Sequence, residues 1–197
     1  MSAKLISIIG PPAVGKTTLA RCLSEDAGAS LIFEDFEGNP FLADAYLERN
    51  EARLPAQLHF LLSRVEQLSS EKWPADGLVV SDYGFCQDRI YAEAMLTDDE
   101  MSLYNRLAAR LERYVHPADV IVHLDAPQSV LRERIAVRGR EYEKAMTPEF
   151  LTRMRMAYNN IDRTSGCPVI RFDTAAGDLR EPDVRGELTA QIRGLLP

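Results

Sequence analysis

Gly10-Pro11-Pro12-Ala13-Val14-Gly15-Lys16-Thr17 fits the pattern G-x-x-x-x-G-K-[ST] and follows directly on Leu5-Ile6-Ser7-Ile8-Ile9. That nearly continuous apolar run reads as a short strand covered on both faces, the kind that belongs to a parallel sheet. Thr17 to Asp26 continues with helical spacing at Leu19, Ala20 and Leu23. Strand, glycine-rich turn and helix together are the context in which this pattern holds phosphate. The glycines let the backbone curl so that N–H groups point inward, and the helix offers its positive end. Gly10, Ala13, Val14, Gly15 and Lys16 are expected around a nucleotide's phosphates, with Lys16 on the β and γ groups and Thr17 on Mg²⁺. The alternative, a turn that binds nothing, is disfavoured by the strand and helix on either side.

Outward from the loop the same alternation repeats. Leu31-Ile32-Phe33, Leu78-Val79-Val80, Val120 to Leu124 and Val169 to Phe172 read as four more short strands. Between them lie helical patterns: Leu54 to Leu68 with a spacing of three and four, Ile90 to Met95, and Gln128 to Val137. Thr97-Asp98-Asp99-Glu100 is a capping box opening a helix to about Tyr114. Thr147-Pro148-Glu149 caps another to about Ile161, with Pro148 in the first turn, where it is tolerated. Pro182 to Leu195 is the last helix. Buried strands alternating with helices predict an α/β fold, a doubly wound five-stranded parallel sheet flanked by helices. Residues 1–197 read as one domain, because no repeat, low-complexity tract or linker divides them.

Composition removes several classes. With 23 Lys and Arg against 30 Asp and Glu, the net charge of -7 argues against a nucleic-acid or membrane-surface binder. No apolar run approaches the roughly 18 residues of a membrane span, and the N-terminal stretch is too short for a signal-peptide core. Cys22, Cys86 and Cys167 are odd in number and unpaired in spacing, so they read as reduced thiols of a cytoplasmic protein. His59, His116 and His123 have no metal spacing, and Trp73 beside Pro74 reads as a packing or turn residue.

Among nucleotide-binding loops, a GTPase needs N-K-x-D. The four lysines (Lys4, Lys16, Lys72 and Lys144) never form it. Leu124-Asp125-Ala126 carries one acid where a motor ATPase usually carries two, which leaves a small-molecule kinase. Arg132, Arg134, Arg138 and Arg140 fall within nine residues. Arg132 and Arg134 read as one side of a helix end; Arg138 and Arg140 flank the flexible Gly139. Mobile arginines in a closing lid stabilise the charge of a transferring phosphoryl group. Glu34 follows the second strand, where a doubly wound sheet opens its ligand crevice, and suits a general base. Strand alternation turns Asp35 to the opposite face. Asp82 ends the third strand and is a candidate for Mg²⁺. Gln57 and Arg64, seven apart on the long helix, share a face on which a Gln can pair with a base edge and an Arg with a ring acceptor.

Taken in order, these segments resemble the deoxynucleoside kinase family over about residues 4–165. The resemblance rests on Gly10 to Thr18, Glu34 with Asn39-Pro40-Phe41-Leu42, Gln57-x6-Arg64 and Ser81-Asp82-Tyr83 with Asp88-Arg89-Ile90-Tyr91-Ala92. Arg134 to Glu143 and Met146 to Leu151 continue it. It implies a P-loop NTPase-type kinase that transfers the ATP γ-phosphoryl group to a deoxynucleoside 5′-hydroxyl in nucleotide salvage, with Mg²⁺ and a lid near residues 138–146. It implies Glu34 as the base, Gln57 as the base reader helped by Arg64, and Tyr46 and Glu143 on the 3′-hydroxyl. Arg134 would lie near the donor's base, Arg138 and Arg140 on its phosphates. Many members carry an acid-Arg-Ser triplet where this chain has Ser81-Asp82-Tyr83. Gln87 stands where the family often has a base-reading acid. The Asp-Tyr form is similar to a bacterial subgroup acting on deoxyguanosine or deoxyadenosine, so a purine acceptor is expected. A homodimer is implied through the helices around residues 54–70 and 98–114. The rival enzyme is a nucleoside monophosphate kinase or other small-metabolite kinase; a regulatory nucleotide-binding ATPase is the third reading.

Overall fold

A computed structural model describes residues 3–47, 49–161 and 165–196. Among them five parallel strands form one sheet: β1 (Lys4–Ile9), β2 (Ser30–Ile32), β3 (Leu78–Ser81), β4 (Val120–Asp125) and β5 (Val169–Asp173). Their spatial order is β2-β3-β1-β4-β5. The helices are α1 (Lys16–Ala27), α2 (Leu42–Tyr46), α3 (Asn50–Gln67), α4 (Cys86–Met95), α5 (Asp98–Leu111), α6 (Gln128–Arg138), α7 (Pro148–Tyr158) and α8 (Pro182–Leu195). This is the α/β architecture expected from the sequence.

Alternation along β1 shows how the sheet is covered on both sides. Ile6 and Ile8 pack with Leu19 and Leu23 of α1, Leu131 of α6 and Leu188 and Ile192 of α8. Ile9 turns the other way, onto Ile90, Met154 and Tyr158 of α4 and α7, and Leu5 packs with Leu68 and Tyr83. Successive side chains of a strand point to opposite faces, so an apolar run without alternation is what two covered faces require. Each fully buried leucine here contributes roughly 1.5–3 kcal/mol through surface removed from water.

Several boundaries differ from the sequence reading. The long helix begins at Asn50, four residues earlier than expected, with Pro55 inside it. The carbonyl that Pro55 leaves without a helical N–H belongs to the exposed Glu51, so it is not stranded in the core. β2 runs Ser30–Ile32, so Phe33 lies outside it, and α4 starts at Cys86 instead of Ile90. The short α2 was not anticipated. Both caps are as read: Thr97 Oγ1 accepts from the Glu100 N–H while Glu100 reaches back to Thr97, and Thr147 accepts from the Phe150 N–H with Pro148 in the first turn.

The three cysteines are free, and burial pushes the Cys86 thiol up to about 12. Trp73 packs on His116 and donates to the Gln67 carbonyl, a packing role as read. No helix among the described residues is long and apolar enough to cross a membrane.

Candidate active site

The sheet order places β1 between β3 and β4, so its C-terminal end feeds the central crevice. The loop after it closes over β4. Gly10 has φ +144°, and a Cβ there would lie 2.2 Å from the Leu124 carbonyl oxygen, so only glycine fits. Gly15, at φ +108°, admits the turn into α1. Ala13 holds φ +61°, a left-handed conformation that non-glycine residues rarely adopt. Lys16 Nζ donates to the carbonyls of Gly10 and Pro11 at 2.9 and 3.2 Å. Burial pulls its ammonium below the usual lysine range, opposed by the carboxylates of Glu34 and Asp82.

Thr17 and Asp82 come together as expected: the Thr17 hydroxyl donates to Asp82 Oδ2 at 2.5 Å. Asp82 Oδ1 accepts from the Glu34 backbone N–H at 2.8 Å. Desolvation raises the Asp82 pKa, moderated by these two bonds. Among the described residues no group of three or more His, Cys, Asp or Glu could enclose a metal. A hydroxyl and one carboxylate at a phosphate loop are the donor set that suits Mg²⁺, which keeps waters and takes most of its other ligands from phosphate oxygens.

One cavity is lined by Lys16, Glu34, Tyr46, Gln57, Arg64, Asp82, Arg138, Arg140 and Glu143. Residues expected from widely separated segments therefore meet. Gln57 and Arg64 share a face of α3 and are each only 2% exposed. Gln57 Nε2 donates to the soft Met95 Sδ at 3.3 Å, and its Oε1 is buried with no hydrogen-bond partner among the described residues. Glu34 lies past the end of β2, so strand alternation does not act there as expected. Asp35 is instead a turn residue whose Oδ1 accepts from the Gly38 N–H at 2.9 Å.

Glu34 Oε1 accepts from Arg64 Nη2 and, at 3.0 Å, from Gln87 Nε2. Gln87 accepts in turn from the Tyr158 hydroxyl, so it stands one layer behind the cavity and steadies Glu34. Arg64 Nη1 donates to Asp88, which also accepts from the Tyr104 hydroxyl. Burial alone would pull the Arg64 guanidinium down, but Glu34 and Asp88 outweigh it and hold it above its ordinary value.

The arginine cluster divides. Arg132 is exposed, whereas Arg134 is half-buried, donating to Thr174 Oγ1 at 2.8 Å, the Thr174 carbonyl at 2.9 Å and the Val14 carbonyl at 3.3 Å. Residues two apart on a helix lie about 200° apart, so the shared side expected for them does not exist. Gly139 ends α6 at φ +70°, and a short 3-10 turn over Glu141–Ala145 follows. The buried Glu143 holds Arg138 at 2.5 and 2.9 Å and Arg140 at 3.5 Å. Arg140 also sits 3.8 Å over the Phe36 ring.

Sequence reasoning missed the walls Phe36, Phe60, Tyr91, Met95 and Met146. It also missed a second hollow beside the phosphate loop, formed by Val14, Thr18, Arg134 and the Thr174 to Glu181 segment. The small-residue run Thr174-Ala175-Ala176-Gly177, directly after a parallel strand, was the available signal.

A phosphate loop at the central crevice, a strand-end acid pair and an arginine cluster on the same cavity define a P-loop phosphotransferase. The deoxynucleoside kinase family model matches residues 6–197, and the chain belongs to that family, whose members are ATP-dependent kinases. It is 31% identical over 175 residues to deoxyadenosine kinase of Dictyostelium discoideum, covering 85% of this chain and 71% of the relative. It is 31% identical over 160 residues to deoxyguanosine kinase of Bacillus subtilis, covering 80% and 77%. The fold matches deoxyadenosine kinase from M. mycoides with products dCMP and a flexible dCDP bound. That match has a TM-score of 0.82 and 19% identity, covering 98% of this chain and 100% of that one.

Proposed function

We propose that this kinase phosphorylates the 5′-hydroxyl of a purine deoxynucleoside, with Glu34 as general base. The observation that carries the reading is the unequal use of the Glu34 carboxylate. Oε1 is held by Arg64 and Gln87, while no hydrogen bond among the described residues engages Oε2, in the cavity that also contains Lys16 and the unpartnered Gln57 Oε1. The acceptor oxygen attacks the γ-phosphorus, its proton passes to Glu34, and the bond from phosphorus to the departing ADP oxygen breaks. Lys16 and the lid arginines stabilise charge on the transferring oxygens. Thr17 and Asp82 would hold Mg²⁺, which neutralises phosphate charge when bound. Tyr46 and Glu143 contact the 3′-hydroxyl. The second hollow, with Arg134, receives the donor's base.

A nucleoside monophosphate acceptor needs free cations at the acceptor end. Here Arg64, the arginine on the same face of α3 as Gln57, is spent on two carboxylates, which favours a neutral, hydroxyl-bearing acceptor. The purine preference rests on the relatives named for deoxyadenosine and deoxyguanosine. Exposed Leu62 of α3 and Leu103 and Leu107 of α5 support a homodimer through those helices, and three free thiols a cytoplasmic salvage enzyme. ADP release with deoxyadenosine, deoxyguanosine, deoxycytidine, thymidine and AMP tests the assignment. Purine deoxynucleosides should turn over at least tenfold faster than AMP; a preference for AMP would overturn it.

A further inference from the structure

Besides the acceptor cavity and the hollow beside the phosphate loop, a third hollow of about 210 Å³ lies between α2, α3, α4 and α7. Arg53 of α3 and Arg153 of α7 both line it, and none of its lining residues is an acid. We propose that these two arginines form a second phosphate site, separate from the phosphate loop and back to back with the acceptor cavity. Its ligand is a phosphate dianion, either free or carried on the 3′-oxygen of a nucleoside.

The observation that carries this is that neither arginine makes a hydrogen bond or an ion pair among the described residues. Carboxylates are not scarce, since the chain has 30 Asp and Glu against 23 Lys and Arg. Those on the surrounding elements are held by other cations: Asp44 of α2 by Arg49, Glu93 of α4 by Arg89, and Glu143 before α7 by Arg138 and Arg140. Glu51 and Glu149 are exposed, the second one helical turn before Arg153, and pair with neither arginine. Two like charges brought to one hollow from separate helices repel, and more strongly where protein walls exclude water. An anion between them turns that repulsion into attraction.

The donors give the chemical class. A guanidinium presents a planar fork of N–H groups that matches phosphate oxygens two at a time. One arginine satisfies a carboxylate, whereas two from separate helices suit a dianion with three or more oxygens. Thr147 also lines the hollow. Its Oγ1 accepts from the Phe150 N–H at 3.1 Å, which leaves its own hydrogen to donate. The volume is below the roughly 300–1,000 Å³ of a site that encloses a drug-sized ligand, so the hollow receives an anionic group and not a whole nucleotide. None of the phosphate loop's residues lines it, while Tyr46, Met95 and Met146 belong both to its wall and to that of the acceptor cavity. The 3′-linked form of the ligand rests on the reading of Tyr46 as a 3′-hydroxyl contact.

The test is calorimetric titration of the full chain with its phosphate loop filled by magnesium and a non-hydrolysable ATP analogue. Inorganic phosphate should bind at one site per chain with Kd below about 5 mM. Arg53→Gln and Arg153→Gln should each weaken it about tenfold or more, and Arg53→Lys, which keeps the charge without the fork, by about threefold. Neither arginine holds another side chain, so the variants should fold and turn over deoxyadenosine within about twofold of wild type. Deoxyadenosine 3′-monophosphate separates the two sources. A carried phosphate makes it bind more tightly than inorganic phosphate, exclude deoxyadenosine and lose affinity in both variants. A free phosphate binds together with deoxyadenosine, and the 3′-monophosphate then gains nothing from either arginine. Either result supports the site. Phosphate binding that is absent for both probes, or unchanged in Arg53→Gln and Arg153→Gln, would overturn it. Failure of deoxyadenosine to bind at all would instead remove the acceptor reading and leave the inorganic phosphate result standing.

Discussion

Gln57→Leu should make the protein more stable and a worse enzyme at once. Gln57 is 2% exposed, its Oε1 has no partner among the described residues, and its amide nitrogen meets only a thioether sulfur. A buried polar atom without a partner costs about 1–3 kcal/mol, and leucine fills nearly the same volume without that cost. A gain of about 1 kcal/mol is expected in the nucleoside-free protein, a rise in Tm of about 2–4 °C for a chain of this length. The same amide is the group that would accept from and donate to a base edge. Leaving the base atoms unpaired costs a similar amount, so kcat/KM for the acceptor should fall roughly 5- to 150-fold, with KM for ATP changed less than twofold. The measurements are thermal unfolding without nucleoside and initial rates over a grid of both substrates. A lower Tm together with unchanged acceptor kinetics would refute the reasoning, because Gln57 would then be an ordinary structural amide. Equal weakening of ATP and nucleoside would move it out of the acceptor pocket.

Among the described residues Lys16 bonds only to two loop carbonyls, so Lys16→Ala should fold normally by circular dichroism and lose turnover by about 10²-fold or more. Arg140→Ala should lower kcat more than it raises the acceptor KM, since a phosphate contact that strengthens as charge develops acts on the transition state; steady-state kinetics with both substrates varied reads this. Asp125 pairs at both carboxylate oxygens with Arg155, each at 2.7 Å. Burial opposes ionisation but the arginine outweighs it, so the folded carboxyl titrates below the usual aspartate range. A depressed carboxylate stabilises above its unfolded pKa and loses that contribution as pH falls through the folded value. Asp125→Asn should therefore be less stable than wild type by under about 1 kcal/mol at pH 7, with the two converging as the pH falls through and below the usual aspartate range in urea unfolding.

The fold was legible because its strands are buried on both faces and its loop has a pattern tied to one geometry. Leu5 to Ile9 with Gly10 to Thr17 were sufficient to place β1, α1 and the crevice. The helix boundaries were less readable, since Pro55 looks like a stop until the exposure of Glu51 shows its carbonyl can be solvated. Glu34, Gln57, Asp82 and the arginines around Gly139, which line one cavity or its edge, could be picked out as residue types at strand ends and helix faces. The bonds that join Asp88 to Arg64 and Tyr104 were not, because these residues come from three helices and no local period connects them. Gln87 was read as a substrate contact for the same reason. One-dimensional spacing puts it on the right helix but does not reveal that Tyr158 and Glu34 already occupy its amide.

The direct test of the account is the rate of 5′-monophosphate formation by Glu34→Gln, with Asp82→Asn and Glu37→Gln, at the exposed acid three residues past Glu34, measured beside it. Glutamine keeps the size of Glu34 and its ability to accept from Arg64, and removes its basicity. The account expects kcat to fall by about 10²–10⁴ while ATP and deoxynucleoside bind within several-fold of wild type. A Glu34→Gln rate within about threefold of wild type, with Asp82→Asn or Glu37→Gln inactive, would contradict it and pass the base to one of those acids.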